Sequence, residues 1–282
     1  MRIPVYFARR FVAGETALEA IEAVKELNKD GVVATLDLLG ENVSSHAQAD
    51  EAVEEYYRLF DLITQSGVKS GVSLKLTQLG LDLGLDSCVE RMRKVLTSAK
   101  NHNLFVRIDM EGSFYTQITI DAFVKLAHEF ENVGLVLQAY LHRSMDDTKV
   151  MADKKFSIRV CKGAYKESSS IAFQNMDDLR TSYKNMVKIL LDGGSRIGIA
   201  THDDQLIEWA VKYVTENNVP KSQFEFQMLY GLRRKKALEL VKQGFRVRSY
   251  VPYGTHWFPY FYRRLRERKE NVFFVLKSLI AD

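Results

Sequence analysis

Charged, amide and hydroxyl side chains recur along this 282-residue sequence at the ends of short apolar, β-branched runs. They are Asp37 and Glu41, Lys75, Asp109 and Glu111, Gln138, Arg159 and Lys162, Thr201 and His202, Gln227, and Tyr250. Taken singly, each reads as well as a salt-bridge partner or a solvated loop residue. Their repetition at the same point of run after run implies that the fold gathers them. A second group follows, because Tyr260, Arg263, Arg264 and Glu267 fall on one face at helical spacing beside Phe258, Phe261, Tyr262 and Leu265. One reading is a solvated face with an Arg263–Glu267 pair, worth a few tenths of a kcal/mol. The other is a pair of guanidinium forks suited to bidentate capture of a carboxylate. Tyr250, Tyr253, Trp257 and Tyr260 are either core fillers or the wall of a pocket for a small ring.

Other chemistries find less support. His202-Asp203-Asp204 offers metal-compatible ligands, but no His-x-His closes the first run and no other run end adds a histidine, so no metal is expected. Lys75 or Lys162 would suit a Schiff base, although a salt-bridged lysine is the commoner case. Neither a Gly-x-Gly-x-x-Gly fingerprint nor a Walker-type loop occurs, so a dinucleotide would have to be held by something other than a Rossmann unit.

The elements that carry these residues form a regular series. Eight candidate strands lie at 32–39, 72–76, 105–110, 134–140, 156–162, 196–202, 224–229 and 245–250, spaced as βα units require. Intervening segments show helical periodicity, as in Ala17, Ile21, Val24 and Leu27, or Leu206, Ala210, Tyr213 and Val214. Strands alternating with helices imply a parallel sheet, and eight such units favour closure into a (β/α)₈ TIM-like barrel over an open sheet. Sites in such barrels lie at the C-terminal ends of the strands, where the polar residues fall. No linker, repeat or charge block divides residues 1–282, so one barrel domain is expected, with 1–14 as an arm or short helix.

Composition agrees with a small-molecule enzyme or binding protein. Hydrophobic residues make up 46% and charged residues 27%, enough for a large core. Forty cations against 36 anions, net +4, are too balanced for a nucleic-acid surface. Two cysteines, Cys88 and Cys161, supply no disulfide framework and fit a reducing, cytoplasmic setting. No stretch approaches a transmembrane span, and the segment 7–12 reads as helix or arm more readily than as a membrane-surface anchor.

The sequence resembles the proline dehydrogenase family over nearly its whole length. The resemblance rests on Thr35-Leu-Asp-Leu-Leu-Gly-Glu41, Ser73-Leu-Lys-Leu-Thr77, Arg107-Ile-Asp-Met-Glu111, Gln138-Ala-Tyr140, Arg159-Val-Cys-Lys-Gly-Ala-Tyr165, Ala200-Thr-His202, Phe224-Glu-Phe-Gln227 and Tyr250-Val-Pro-Tyr-Gly254. Tyr260-Phe-Tyr-Arg-Arg264 and Glu267 follow in the same order. It departs only slightly: Gly112 stands where an acidic residue is common, and Cys161 replaces an aliphatic one.

The resemblance implies a distorted (β/α)₈ barrel with a final helix over its C-terminal face. It also implies oxidation of L-proline to Δ¹-pyrroline-5-carboxylate by hydride transfer from C5 to N5 of non-covalently bound FAD. Arg263, Arg264 and Lys75 would hold the proline carboxylate, with Tyr165, Leu229, Tyr250 and Tyr260 around the ring. Asp109 would orient Lys75 or Tyr250, and Glu41 would pair with Arg263 as a gate. Arg159 would lie near flavin N5, Gln138 and the Met110 backbone at the ring system, and Lys162, Gly163, Ala164, Thr201 and His202 toward the pyrophosphate. Glu267 would contact the cofactor or fix Arg264. A membrane quinone would take the electrons, placing a cytoplasmic protein peripherally at the inner face of the membrane; a homo-oligomer is compatible with this. The chain ends soon after the last helix, so the one-function form without an attached aldehyde dehydrogenase is expected. A Schiff-base lyase on Lys75 or Lys162, and an amino-acid-binding module using only the arginine clamp, remain the competing readings.

Overall fold

A computed structural model describes the chain from residue 8 to residue 267, with side chains to residue 264. Eight strands close into one parallel barrel in chain order: β1 (Val33–Leu38), β2 (Ser70–Leu74), β3 (Val106–Ile108), β4 (Val133–Gln138), β5 (Ile158–Cys161), β6 (Ile197–Ala200), β7 (Phe224–Leu229) and β8 (Val247–Tyr253). All eight expected strands are present. Several are shorter than their apolar runs suggest, because Lys75, Asp109, Lys162 and Thr201 lie just past the last residue of their strand. The eighth is longer at its C-terminal end. Leu36, Asp37 and Leu38 pair with Val251, Pro252 and Tyr253, a stretch that a proline makes look like a turn.

Helices α2 (His46–Ser66), α3 (Leu85–Asn101), α4 (Thr116–Ala127), α5 (Ser144–Asp153), α6 (Met176–Asp192), α7 (Asp204–Glu216) and α8 (Arg234–Lys242) follow β1 to β7 and ring the barrel. Their buried stripes include Tyr56, Leu59, Phe60 and Ile63 on α2 and Tyr183, Met186, Val187 and Leu190 on α6. The ring position between β8 and β1 is taken from the other end of the chain. Helix α1 (Ala17–Lys29) starts at a capping box of Thr16 and Glu19 and packs Ala20, Ile21 and Val24 against β1, β8 and α2. The final helix α9 (Trp257–Glu267) is thereby displaced from the ring and lies at the C-terminal mouth.

The arm supports that helix. Phe11 and Val12 are buried with Trp257, Tyr260, Phe261 and Leu39 in a separate apolar cluster, and Ala13 N donates to Pro252 O at 2.9 Å. The apolar side chains of 11 and 12 are thus occupied inside the protein rather than displayed to a membrane; Phe7 lies outside the described residues.

The barrel interior is unusually polar, with Thr35, Asp37, Ser73, Arg107, Arg159, Glu225 and Gln227 all buried. Glycines make the room. A Cβ at Gly134 would lie 2.3 Å from Arg107 Nη1, and one at Gly198 would lie 2.4 Å from Gln227 Nε2. Long polar side chains on one strand therefore fill the volume that a neighbouring strand leaves empty.

Candidate active site

The strand ends and α9 enclose a cavity of about 370 Å³. Lys75, Asp109, Met110, Gln138, Arg159, Lys162, Gly163, Ala164, Tyr165, Thr201, His202, Leu229, Tyr250, Tyr260, Arg263 and Arg264 all line it. Glu41 is not among the lining residues but is bonded to Arg263, and the Glu267 side chain lies outside the described residues.

Register explains the floor. Asp37 is paired with Ser73 across β1 and β2, so Lys75, two residues on, points to the same face. Lys75 Nζ donates to Asp37 Oδ1 at 3.2 Å and Oδ2 at 3.3 Å. Burial opposes the ammonium charge, but Asp37 and then Asp109 outweigh it and raise the pKa of Lys75. Burial lifts the Asp37 carboxyl, against the pull of Lys75. A lysine held protonated in this way is a poor Schiff-base nucleophile, which weighs against the lyase reading. The partner of Lys75 is thus Asp37, not Asp109, since Asp109 is engaged elsewhere.

Asp109 accepts from Arg159 Nη1 at 2.8 Å through one oxygen and from the Tyr250 hydroxyl at 2.8 Å through the other. Burial, with Asp109 and Asp37 nearby, pushes the Tyr250 phenol well above its ordinary range, so it remains a donor. Arg159 is held in addition by Gln227 Oε1 at 2.5 Å and Ser73 Oγ at 3.1 Å. Its guanidinium lies 5.4 Å from the Tyr250 ring centroid. Four strands thus fix one buried cation.

On the roof, Arg263 donates to both Glu41 oxygens, at 3.0 and 3.3 Å, and lies 5.7 Å from the Tyr165 ring centroid. Burial would lower its pKa, but Glu41 outweighs burial and raises it. Arg264, 8% exposed, stacks 5.2 Å from the centroid of Tyr260. The solvated-face reading of this helix therefore fails for Arg264 and Tyr260, both buried over the cavity, and Arg263 pairs with Glu41 on another strand end.

The third wall carries the cluster after β5 and β6. Lys162 Nζ lies 3.2 Å from Asp203 Oδ2, which also accepts from Arg180 Nε at 3.0 Å, while Asp203 Oδ1 caps α7 through Gln205 N. Asp203, first noted as a metal-compatible residue, is a helix cap shared by two cations. Among the described residues no group of three His, Cys, Asp or Glu forms a metal site. Nε2 of His202 accepts from Leu229 N at 2.9 Å, which leaves the ring proton on Nδ1. Gln138 Nε2 donates to Met110 O at 3.4 Å, and its buried Oε1 has no hydrogen-bond partner among the described residues. Gly163 adopts φ +111°, and a Cβ there would meet the Tyr140 ring at 2.2 Å, so only glycine passes at this point of the wall.

Sequence reasoning assigned no role to Ser73, Gln227, Asp37, Asp203 or Arg180, which position Arg159, Lys75 and Lys162. Asp37 and Gln227 were visible as strand-end polar residues; Arg180 gave no signal. The Proline dehydrogenase family model matches residues 20–277. This chain belongs to the proline dehydrogenase family. Proline dehydrogenase 1 of Bacillus subtilis (strain 168) is 43% identical over 273 residues, 97% of this chain and 90% of that protein. The proline dehydrogenase of Deinococcus radiodurans is 38% identical over 278 residues, again 97% and 90%. A crystal structure of proline utilization A from Bdellovibrio bacteriovorus, inactivated by N-propargylglycine, superposes with a TM-score of 0.87 at 26% identity. It covers 93% of this chain, whereas this chain spans only 32% of that polypeptide. Membership makes this chain an enzyme, an oxidoreductase of proline catabolism. Among the described residues no helix is long and apolar enough to cross a membrane.

Proposed function

We propose that the cavity oxidises L-proline to Δ¹-pyrroline-5-carboxylate with FAD, and that electrons then pass to a membrane quinone. The observation that carries this reading is the convergence of Lys75, Arg263 and Arg264 with Tyr165, Tyr250, Tyr260 and Leu229 on one cavity. Three cations suit a carboxylate, and the aromatic and aliphatic faces suit a small saturated ring.

The residues present fit a flavin. Gln138 Oε1, buried on the cavity wall and without a partner among the described residues, suits an N–H donor of the kind the flavin ring carries. Lys162, Thr201 and the backbone at Gly163 and Ala164 form a polar, cationic wall suited to a pyrophosphate. When bound, FAD supplies the hydride acceptor, N5, that takes the hydrogen from proline C5. Arg159, buried and fixed by three partners, would offer a permanent cation to the negative charge that reduction of a bound flavin builds up. Asp109 fixes Tyr250 as well as Arg159, so the ring wall and that cation are set by one carboxylate. Arg263 and Arg264 clamp the carboxylate from α9, Lys75 holds it from below, and Glu41 closes on Arg263 to exclude water. The proline amine must lose its proton for hydride to depart, so turnover rises toward alkaline pH.

Attachment is non-covalent in this reading. Burial pushes the Cys161 thiol up to about 12, which leaves it protonated and a weak nucleophile, and His202 Nε2 is engaged by Leu229 N. Acid precipitation of the purified protein should release all of the yellow colour to the supernatant, with the absorption spectrum of FAD. A colourless protein contradicts the flavin, and colour kept in the pellet contradicts its non-covalent binding.

A further inference from the structure

A second cavity, of about 310 Å³, opens at the opposite end of the barrel, where its lining residues Ser70, Phe105, Ser157, Ile197 and Arg246 begin or precede the strands. Among the described residues Lys69, Arg107, Arg196, Arg246 and Arg248 face it from below the floor that Arg159 forms. Among the described residues Glu225 is the one carboxylate on its lining, and it is shared already. Arg248 and Arg246 both bridge to it, and Gln227 Nε2 donates to it at 2.6 Å.

Arg107 is the telling residue. It is 7% exposed, and its guanidinium donates only to neutral acceptors: Leu135 O at 3.2 Å, Ser157 O at 2.6 Å and Ser157 Oγ at 3.1 Å. Among the described residues it forms no ion pair. Burial disfavours its charge most, and Arg159 and Arg248 add repulsion that Glu225 only partly offsets. A guanidinium does not relieve such tension by deprotonation, so an anion drawn to this cavity would be favoured by its charge. Glu225 itself is committed: burial would raise its carboxyl, yet Arg248 and Arg246 hold it down at about 2. Arg196 and Arg246 sit exposed at the entrance, where they would attract an anion from solution.

We propose that this cavity binds one small tetrahedral oxyanion, phosphate either free or as a monoester, between Arg107 and the entrance pair Arg196 and Arg246. Fork-shaped donors on β3 and immediately before β6 and β8 suit the several oxygens of such an ion better than the planar carboxylate of the substrate site. The site does not depend on the reading of the catalytic cavity, because its cations lie on the other side of the Arg159–Gln227 floor that lines both.

Titration calorimetry with inorganic phosphate at constant ionic strength, chloride serving as the control anion, tests this on the protein as purified. The expected result is one saturable site that Arg196→Gln/Arg246→Gln weakens at least tenfold while proline turnover stays within twofold of the parent. Arg107→Gln should abolish it, and the entrance variant keeps the test valid should that buried change disturb folding. Glycerol 3-phosphate displacing phosphate with higher affinity assigns a monoester, and lower affinity assigns the free ion. Absence of saturable binding, or binding unchanged in the entrance variant, overturns the proposal.

Discussion

Asp37→Asn is the most exacting perturbation of the site's foundation, since it keeps shape and removes the charge that holds Lys75. Both groups are buried, with side-chain exposures of 8% for Lys75 and 0% for Asp37, and their nearest atoms are 3.2 Å apart. At an effective dielectric near 20 the attraction is 332/(20 × 3.2), about 5 kcal/mol, before the cost of desolvating both groups. Removing one partner of a buried pair costs roughly 3–5 kcal/mol, because the other charge is left stranded. At roughly 2–4 °C per kcal/mol for a chain of this class, the melting temperature should fall on the order of 10 °C. Lys75→Met should cost a similar amount, since it strands Asp37. The double variant removes both charges and should be more stable than the sum of the single losses by at least about 3 kcal/mol. Urea unfolding midpoints of the four proteins measure this cycle. A loss under about 1 kcal/mol for Asp37→Asn, or strict additivity in the double variant, would refute the claim that the pair is a coupled buried unit.

Arg264→Met should lower kcat/KM for proline on the order of a hundredfold, mainly through KM, whereas Arg263→Met should raise KM and leave flavin content near normal. Near-normal KM in both variants would remove the carboxylate clamp. If proline binds as proposed, the buried Tyr260 ring on the cavity wall would bound the space of a 4-hydroxyl, so Tyr260→Ser should narrow the preference for proline over trans-4-hydroxyproline; equal kcat/KM for the two substrates in the parent enzyme would end the steric argument. Glu225 has a folded pKa lowered to about 2, so the stability it adds is present above the ordinary carboxylate range and is lost as pH falls from about 4.5 toward 2. Glu225→Gln should flatten that part of the stability–pH curve, and an unchanged acid slope would contradict the assignment.

The barrel was legible because the strands are short, mostly apolar runs, many of them β-branched, and a polar residue at or near the end of each breaks that run at the same place. The ends were less so. Lys75, Lys162 and Thr201 look like continuations of their strands, and Pro252 hides the last turn of pairing between β1 and β8. What could not be read was partnership across strands. Asp37 and Lys75 lie 38 residues apart, Arg159 and Gln227 68 apart, and their contacts depend on register and on space vacated by Gly198. Arg180 reaches the site only through Asp203, from a helix whose sequence pattern is that of an ordinary outer-ring element. Arg107 lay in plain view beside Asp109, but the two alternate residues of β3 and its end serve opposite ends of the barrel. Equally, α1 in the ring position between β8 and β1 follows from competition with α9, whose arginines belong over the mouth.

The central claim is that this cavity brings proline to a bound flavin. Anaerobic titration of the purified enzyme with L-proline, followed in the visible flavin bands, tests it most directly. Stoichiometric bleaching is expected, with a rate that rises toward alkaline pH and an apparent proline affinity weakened by Arg264→Met. A protein that purifies without flavin, or whose flavin keeps its colour under saturating proline, would contradict the account.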